Sequence, residues 1–370
     1  MKLNAYPVSR RRFLGQLSAA GALALLPRRS WAAEPAGKKL GVALVGLGNY
    51  SRGELGPALK LTQHCRLAGV VTGSHGKGAK WAKEYGFPEQ NIYNYETMHQ
   101  MADNPDIDIV YVVTPNGLHA QHCIAAAKAG KHVICEKPMA STVAECDAII
   151  AACQAAKVRL SVGYRLHFDP YHQELMRLAR EQDFGPFTKM SGGFSFVMNG
   201  RPWRAIRQFS GGGPLMDLGI YVIHASCMAA NGVAPLAVTA QETPKTRPEI
   251  FQDVEETISW QLEFPGGATG KGITSYAQGA NDFRAEAAKG WIEFGSAYIY
   301  RNLAAKTSRG PLHFKPEVNQ QALQMDDFAD CIATGRATSV PGELGRRDMT
   351  IIEAIYASAA SGGKRVEVKA

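Results

Sequence analysis

Lys137, Asp217 and Tyr221 are the residues of this chain whose types and settings best suit acid–base chemistry. Lys137 stands in Cys135-Glu136-Lys137-Pro138, directly after the run His132 to Cys135, which reads as a strand. A lysine at the carboxyl end of a strand in an open α/β sheet lies on the edge where such sheets bind their ligands. As a cation it could hydrogen-bond a hydroxyl, stabilise developing alkoxide charge or lower a neighbouring phenol's pKa. The plainer alternative is a surface lysine paired with Glu136. Asp217 and Tyr221 follow the run Gly211-Gly212-Gly213-Pro214, read as a flexible lead into a helix. Spaced i to i+4, they share one helix face. Together they could bind hydroxyls and exchange a proton during hydride transfer, provided the phenol pKa is depressed. Otherwise they are a capping acid and a core tyrosine.

Such chemistry needs a redox cofactor, and a second string offers a place for one. Gly46-Leu47-Gly48-Asn49-Tyr50-Ser51 follows a β-branched run and opens a helix, with Ser51 where a third glycine would stand. Glycines there permit a tight turn and let the backbone approach a pyrophosphate at a helix N-terminus. An acid at the end of the second strand would accept from the 2′-hydroxyl of an NAD ribose, yet no Asp or Glu occurs between Glu54 and Glu84. Ser74, Lys77 and Lys80 stand there instead. Ser74 can donate to a 2′-phosphate and either lysine can neutralise it, so NADP is favoured over NAD. The alternative is that the lysines are solvated residues of the following helix.

The elements that would position these groups alternate in the manner of a parallel sheet with crossover helices. Strands are expected at Val42 to Val45, Leu67 to Thr72, Ile109 to Val113, His132 to Cys135 and Leu160 to Val162. Helices are expected at Arg52 to Leu61, Ala79 to Tyr85, Leu118 to Ala129 and Val143 to Ala156. Beyond a helix at Tyr171 to Glu181 the pattern changes to long strands: Phe187 to Val197, Leu236 to Gln241, Val254 to Phe264, Ala268 to Tyr276 and Ala285 to Phe294. Pro265-Gly266-Gly267 signals a hairpin. Helices at Leu215 to Ala230, Gln320 to Thr334 and Arg346 to Ala360 complete the set. The expected architecture is an N-terminal Rossmann domain, 38–165, and an α+β domain, 166–370, built on an open, mostly antiparallel sheet.

Residues 1–32 read as a twin-arginine export signal: Ser9-Arg10-Arg11-Arg12-Phe13-Leu14, an apolar run from Leu14 to Leu26, and Ser30-Trp31-Ala32 as a small-x-small cleavage site. The run is too short for a membrane-spanning helix, which needs ~20 residues. Periplasmic localisation by the twin-arginine machinery follows as the expectation. The leader holds six basic residues and no acid, so the net charge of +8 falls to +2 without it. That near-neutral balance excludes an electrostatic case for nucleic acid. Seven cysteines with no Cys-x-x-Cys, four of them in apolar or helical stretches, read as buried free thiols. His119 and His122 lie three apart, but without an acidic or thiol partner at zinc-like spacing no metal is expected.

Glu136-Lys137-Pro138, preceded by Thr114-Pro115-Asn116-x-x-His119 and followed by Gly211 to Tyr221, resembles the Gfo/Idh/MocA oxidoreductases. Gly163-Tyr164-Arg165-x-His167-x-Asp169-Pro170, Trp203-Arg204 and the tyrosine at 221 are similar to the glucose-fructose oxidoreductase branch; most of the family places histidine at the position of Tyr221. The resemblance runs from about Leu40 to Val366. It implies a catalytic group of Lys137, Asp217 and Tyr221, with Tyr221 exchanging the proton and Lys137 assisting, and a Lys137-Pro138 peptide that is often cis. It implies that Thr114, Pro115, Asn116, His119 and Glu136 border the cofactor, that Arg165 faces the substrate pocket, and that Trp203 and Arg204 lie near the nicotinamide. The open sheet would supply the interface of a homo-oligomer, dimer or tetramer. The branch lays an N-terminal arm over its cofactor, and Ala33 to Lys39 is too short to match it. Outside the cytoplasm no pool of free NADP exists, so a retained cofactor must be regenerated in place: one sugar oxidised at its anomeric carbon to a lactone, a second sugar or carbonyl compound reduced. Two other readings stay open: a dehydrogenase of a sugar, cyclitol or glycoside using dissociable NAD(P), and a non-catalytic sugar- or cofactor-sensing protein.

Overall fold

The computed structural model describes residues 38–369; the expected export signal lies outside the described residues. Six short apolar runs, β1 (Leu40–Val45), β2 (Cys65–Val71), β3 (Ile92–Tyr93), β4 (Ile109–Val112), β5 (His132–Cys135) and β6 (Leu160–Val162), form a sheet of order β3-β2-β1-β4-β5-β6. Every neighbouring pair is parallel. Both faces are covered, which is why these strands read as continuous apolar runs. Val42 and Leu44 pack into one core with Leu67, Val70 and Trp81, while Ala43 and Val45 pack into the other with Ala68 and Val71. The order reverses at β1, and the crevice between the carboxyl ends of β1 and β4 is where an open sheet of this kind takes a ligand.

The returning segments are a helical turn, Ser51–Leu55, that runs into α1 (Gly56–Leu59), then α2 (His75–Tyr85), α3 (His119–Lys128) and α4 (Val143–Ala155). α2 begins earlier than the expected Ala79, because Ser74 caps it by accepting from the Lys77 amide. α4 starts with Thr142 as its N-cap, accepting from the Glu145 amide, while the Glu145 carboxylate accepts from the Ser141 amide just outside the helix. Strand β3 was not foreseen, since two residues carry no readable alternation.

The second sheet has nine strands in the order β14-β13-β12-β11-β7-β10-β9-β8-β15. They are β7 (Phe187–Ser195), β8 (Ala237–Glu242), β9 (Thr257–Glu263), β10 (Thr269–Ser275), β11 (Ala280–Ala287), β12 (Gly290–Ser296), β13 (Ala304–Thr307), β14 (Gly310–Pro311) and β15 (Val366–Glu367). Only the β7–β10 pair is parallel; the rest are antiparallel. The expected single strand Ala285 to Phe294 is corrected: the chain turns between Ala287 and Gly290, and β11 and β12 pair with each other. Pro265-Gly266-Gly267 does join β9 to β10.

α5 (Pro170–Glu181) is capped by Asp169, which accepts from the Tyr171 and His172 amides. A short α6 (Arg207–Ser210) precedes the glycine run, and a π-helical turn, Leu215–Gly219, leads into α7 (Ile220–Ala229). Every residue of α7 is buried except Tyr221. A helix buried around nearly its whole circumference belongs in a core, so the one partly exposed side chain marks the side that meets the cleft. α8 (Gln320–Thr334) returns to the first sheet, giving Met325 and Phe328 to its core. α9 (Gly342–Ala360) starts four residues before the expected Arg346 and places Asp348, Ile351 and Ile355 in the interior. Among the described residues no helix is long and apolar enough to cross a membrane. All seven cysteines are buried and free.

Candidate active site

A cleft of about 1020 Å³ runs from the turn after β1 to the start of α7. At one end lie Gly46, Gly48, Asn49 and Tyr50, with Thr114, Pro115, Asn116 and His119 opposite, and Ser74 and Lys77 at the rim. Gly46 has φ +98°, a conformation that favours glycine. A Cβ at Gly48 would meet nothing within 4 Å, so the backbone there is open to a close ligand. These features fit a dinucleotide pyrophosphate, with a lysine and a hydroxyl rather than an acid at the ribose end. His119 sets its ring nitrogens against the carbonyls of Pro138 and Thr114, at 2.9 and 2.8 Å. His122 sets Nδ1 3.1 Å from the Thr114 hydroxyl. Both rings thus brace the loop after β4, and burial lowers the His122 pKa to about 4.

Two expected cofactor residues stand outside the cleft lining. Ser51 is fully buried and donates to the Gly46 carbonyl at 2.6 Å, so it holds the turn and does not line the cleft. Lys80 is exposed on α2 outside the cleft, one turn beyond Lys77.

The other end of the cleft is built from side chains. Lys137 Nζ donates to the Asp217 carbonyl at 2.9 Å, lies 3.9 Å from Asp217 Oδ1 and sits over the Tyr221 ring, 4.5 Å from its centroid. It is not paired with Glu136. That carboxylate is buried, accepts from the Tyr111 hydroxyl at 2.7 Å and from the Lys137 amide at 3.2 Å, and burial pushes its pKa up against the pull of Lys137. The Lys137–Pro138 peptide is cis.

Asp217 Oδ2 takes hydrogen bonds from Arg204 Nε at 2.9 Å and the Tyr276 hydroxyl at 3.0 Å, leaving Oδ1 toward Lys137. Burial would raise its pKa, but Arg204 and Lys137 outweigh it and hold the carboxyl below its ordinary value. The guanidinium of Arg204 rests on Trp203, 4.4 Å from the ring centroid. Arg165 is buried, donating to Gln320 and to the Tyr298 and Ile299 carbonyls, with its guanidinium carbon over the Tyr221 and Tyr300 rings, 5.1 and 4.5 Å from their centroids.

The expected flexibility of the glycine run is also corrected. A Cβ at Gly212 would stand 2.1 Å from the Tyr356 hydroxyl, and one at Gly213 would stand 2.3 Å from the Glu255 carbonyl. Buried Glu255 accepts from the Gly213 and Leu215 amides and from Tyr356. The run is therefore a clamped approach to the turn Leu215–Gly219 that carries Asp217.

Sequence reasoning missed Tyr95 at the nucleotide end and Phe194, Phe196, Asn199, Tyr298 and Tyr300 on the far wall, all of which line the cleft. Phe194 meets Tyr221 edge-on at 5.4 Å, and Tyr298 lies 5.8 Å from it. Nothing in their spacing distinguishes them from core aromatics.

A Rossmann sheet whose β1 turn faces a lysine, a carboxylate and a phenol across one cleft defines a nicotinamide-dependent oxidoreductase. Residues 40–164 match the oxidoreductase family with an NAD-binding Rossmann fold, and residues 172–293 match the GFO/IDH/MocA C-terminal domain; the chain belongs to the Gfo/Idh/MocA family. It is similar to an aldose-aldose oxidoreductase from Caulobacter crescentus whose crystal structure was solved with glycerol: 40% identity, TM-score 0.86, covering 89% of this chain and all of that one. A D-xylose 1-dehydrogenase [NADP(+)] of Haloarcula marismortui is 27% identical over 89% of this chain and 94% of its own length. Levoglucosan dehydrogenase, at 22% identity and TM-score 0.76, shares the fold.

Proposed function

We propose that the chain is an exported NADP-dependent sugar oxidoreductase. It oxidises an aldose at C1 to a lactone and passes the reducing equivalents, through tightly held nucleotide, to a second sugar or carbonyl compound in a ping-pong cycle. The observation that carries this reading is the convergence of Lys137, Asp217 and Tyr221 at the end of a cleft whose other end is the glycine turn. NADP bound along Gly46, Gly48, Asn116, Ser74 and Lys77 would supply the hydride acceptor. Tyr221 takes the proton of the C1 hydroxyl, and the Lys137 ammonium stabilises the charge that develops on that oxygen. Asp217, fixed by Arg204 and Tyr276, offers Oδ1 to a sugar hydroxyl.

The aldose-aldose oxidoreductase likeness supports two sugars in one cycle, and the D-xylose dehydrogenases support NADP and C1. The string Ser9-Arg10-Arg11-Arg12-Phe13-Leu14 supports export to the periplasm, where a retained cofactor is needed. The open face of the nine-stranded sheet is the surface for a homo-oligomer. A dehydrogenase with dissociable cofactor is the second reading, favoured by the xylose dehydrogenase likeness.

One experiment separates them. Protein purified by gel filtration without nucleotide is denatured, the released cofactor identified, and the native protein assayed with an aldose and a second carbonyl sugar. Stoichiometric NADP and turnover that needs both sugars is the expected result; empty protein that works only with added nucleotide would replace the cycle by the simple dehydrogenase.

A further inference from the structure

A histidine pair, His224 buried and His167 partly so, lies outside the cleft lining and has no part in the proton transfer described above. His167 Nε2 and His224 Nε2 are 2.8 Å apart, and His224 Nδ1 lies 2.5 Å from Asp348 Oδ2. Tyr164 donates its hydroxyl proton to the same oxygen at 2.7 Å and stacks on His224 with centroids 3.9 Å apart. Arg347 donates to Asp348 Oδ1 from Nε and Nη2, at 2.8 and 2.7 Å. Asp348 is fully buried and His224 nearly so.

A carboxylate only accepts, so His224 Nδ1 carries the proton toward Asp348. The 3.2 Å approach of Arg347 Nη2 to that nitrogen cannot also be a hydrogen bond, and the shorter contact decides. Burial lowers the pKa of both imidazoles, with Arg347 adding to it. Neutral His224 then accepts at Nε2, and His167 donates there.

The placement gives this link its consequence. Arg165 and His167 stand two apart on the segment Arg165–Phe168, while Tyr221 and His224 stand one turn apart on α7. The same two segments therefore touch twice: Arg165 over Tyr221 at 5.1 Å, and His167 on His224. α7 cannot turn or slide to carry Tyr221 away from Arg165 without breaking the imidazole link, and α9 anchors that link through Asp348.

We propose that His167 and His224 are positioning residues: their hydrogen bond, oriented by Asp348, fixes the register of α7 against the Arg165 segment and so holds Tyr221 at the reacting carbon. The proposal rests on Tyr221 as the proton acceptor. It also gives a role to His167, which stands in the string Gly163 to Pro170 without one.

His167→Phe keeps a flat ring and loses the donor, whereas His167→Gln places an amide N–H near the lost Nε2. With D-xylose and its C1-deuterated form, His167→Phe is expected to lose about 10–100-fold in kcat. KM should stay within about threefold, and the isotope effect should exceed the wild-type value, because hydride transfer has become slower. His167→Gln should recover most of the rate and the wild-type isotope effect. Wild-type kcat in His167→Phe, a loss with an unchanged isotope effect, or no recovery in His167→Gln would each overturn the proposal. If His167→Phe does not fold, His224→Asn, which keeps the donor to Asp348 and loses the link, takes its place. A crystal structure of the variant gives a readout that needs no sugar: Tyr221 should be displaced from its 5.1 Å contact with Arg165, and an unmoved ring would overturn the proposal. Wild-type protein that oxidises no aldose would instead remove the function proposed above, and the crystallographic comparison would still decide the register.

Discussion

The two ends of the cleft are made of different material. The end after β1 is mostly backbone: a positive-φ glycine, an open glycine and a loop after β4 braced by histidines. The end at α7 is side chains brought from Lys137, Arg165, Arg204, Asp217, Tyr221 and the aromatics of the second sheet. A pyrophosphate is recognised by amides, which any chain has, so its site needs only the right turn. A sugar's stereochemistry must be met by specific side chains, which can come from anywhere in the fold. The first end can therefore be built from the turn alone, whereas the second depends on which side chains the fold brings there.

Breaking the side-chain end should cost most. Tyr221→Phe and Lys137→Ala are each expected to lower kcat by about 10²–10⁴ while leaving bound nucleotide unchanged, read by steady-state kinetics and cofactor content. The backbone end should respond in binding alone. Lys77→Glu should weaken NADP by about 10–100-fold, and Lys80→Glu, outside the cleft, should change it by less than about twofold, read by titration of nucleotide-free protein.

Arg204→Ala sharpens the electrostatic side of the comparison. Asp217 is held ionised below its ordinary pKa mainly by Arg204 and Lys137 against burial, so its charge is lost only as pH falls through that depressed value. Without Arg204 the acid limb of kcat/KM should move to higher pH, and an unmoved limb would show that Asp217 does not govern it. The smallest effect concerns His122, whose folded pKa near 4 lies below the unfolded 6.5. The unfolded chain binds this proton first, so the contribution to stability falls as pH drops from about 6.5 to about 4. His122→Phe should flatten that slope by a few degrees in a pH series of Tm values.

The parallel sheet was legible because its strands are apolar on both faces and alternate with helices of readable length; β5 and β6 fall where the runs placed them. The short strands β3, β13, β14 and β15 were not, since two to four residues show no period. Ser51 and Lys80 stand outside the cleft lining for one reason. A motif fixes a position in the chain, but whether the side chain faces the ligand or the turn depends on a helix rotation that the motif does not contain. Lys137 was legible as a candidate because it stands before Pro138 at a strand end, and Asp217 and Tyr221 because they follow the glycine run Gly211 to Gly213. Tyr298 and Tyr300 have no such marker.

The most direct test of the account is a half-reaction on protein purified without nucleotide. An aldose alone is added, and the near-ultraviolet absorbance of reduced nicotinamide is followed. The account predicts a single stoichiometric rise on the enzyme, followed by its loss when a second carbonyl sugar is supplied. No rise until free NADP is added, or continuous turnover with the aldose and free NADP alone, would contradict it.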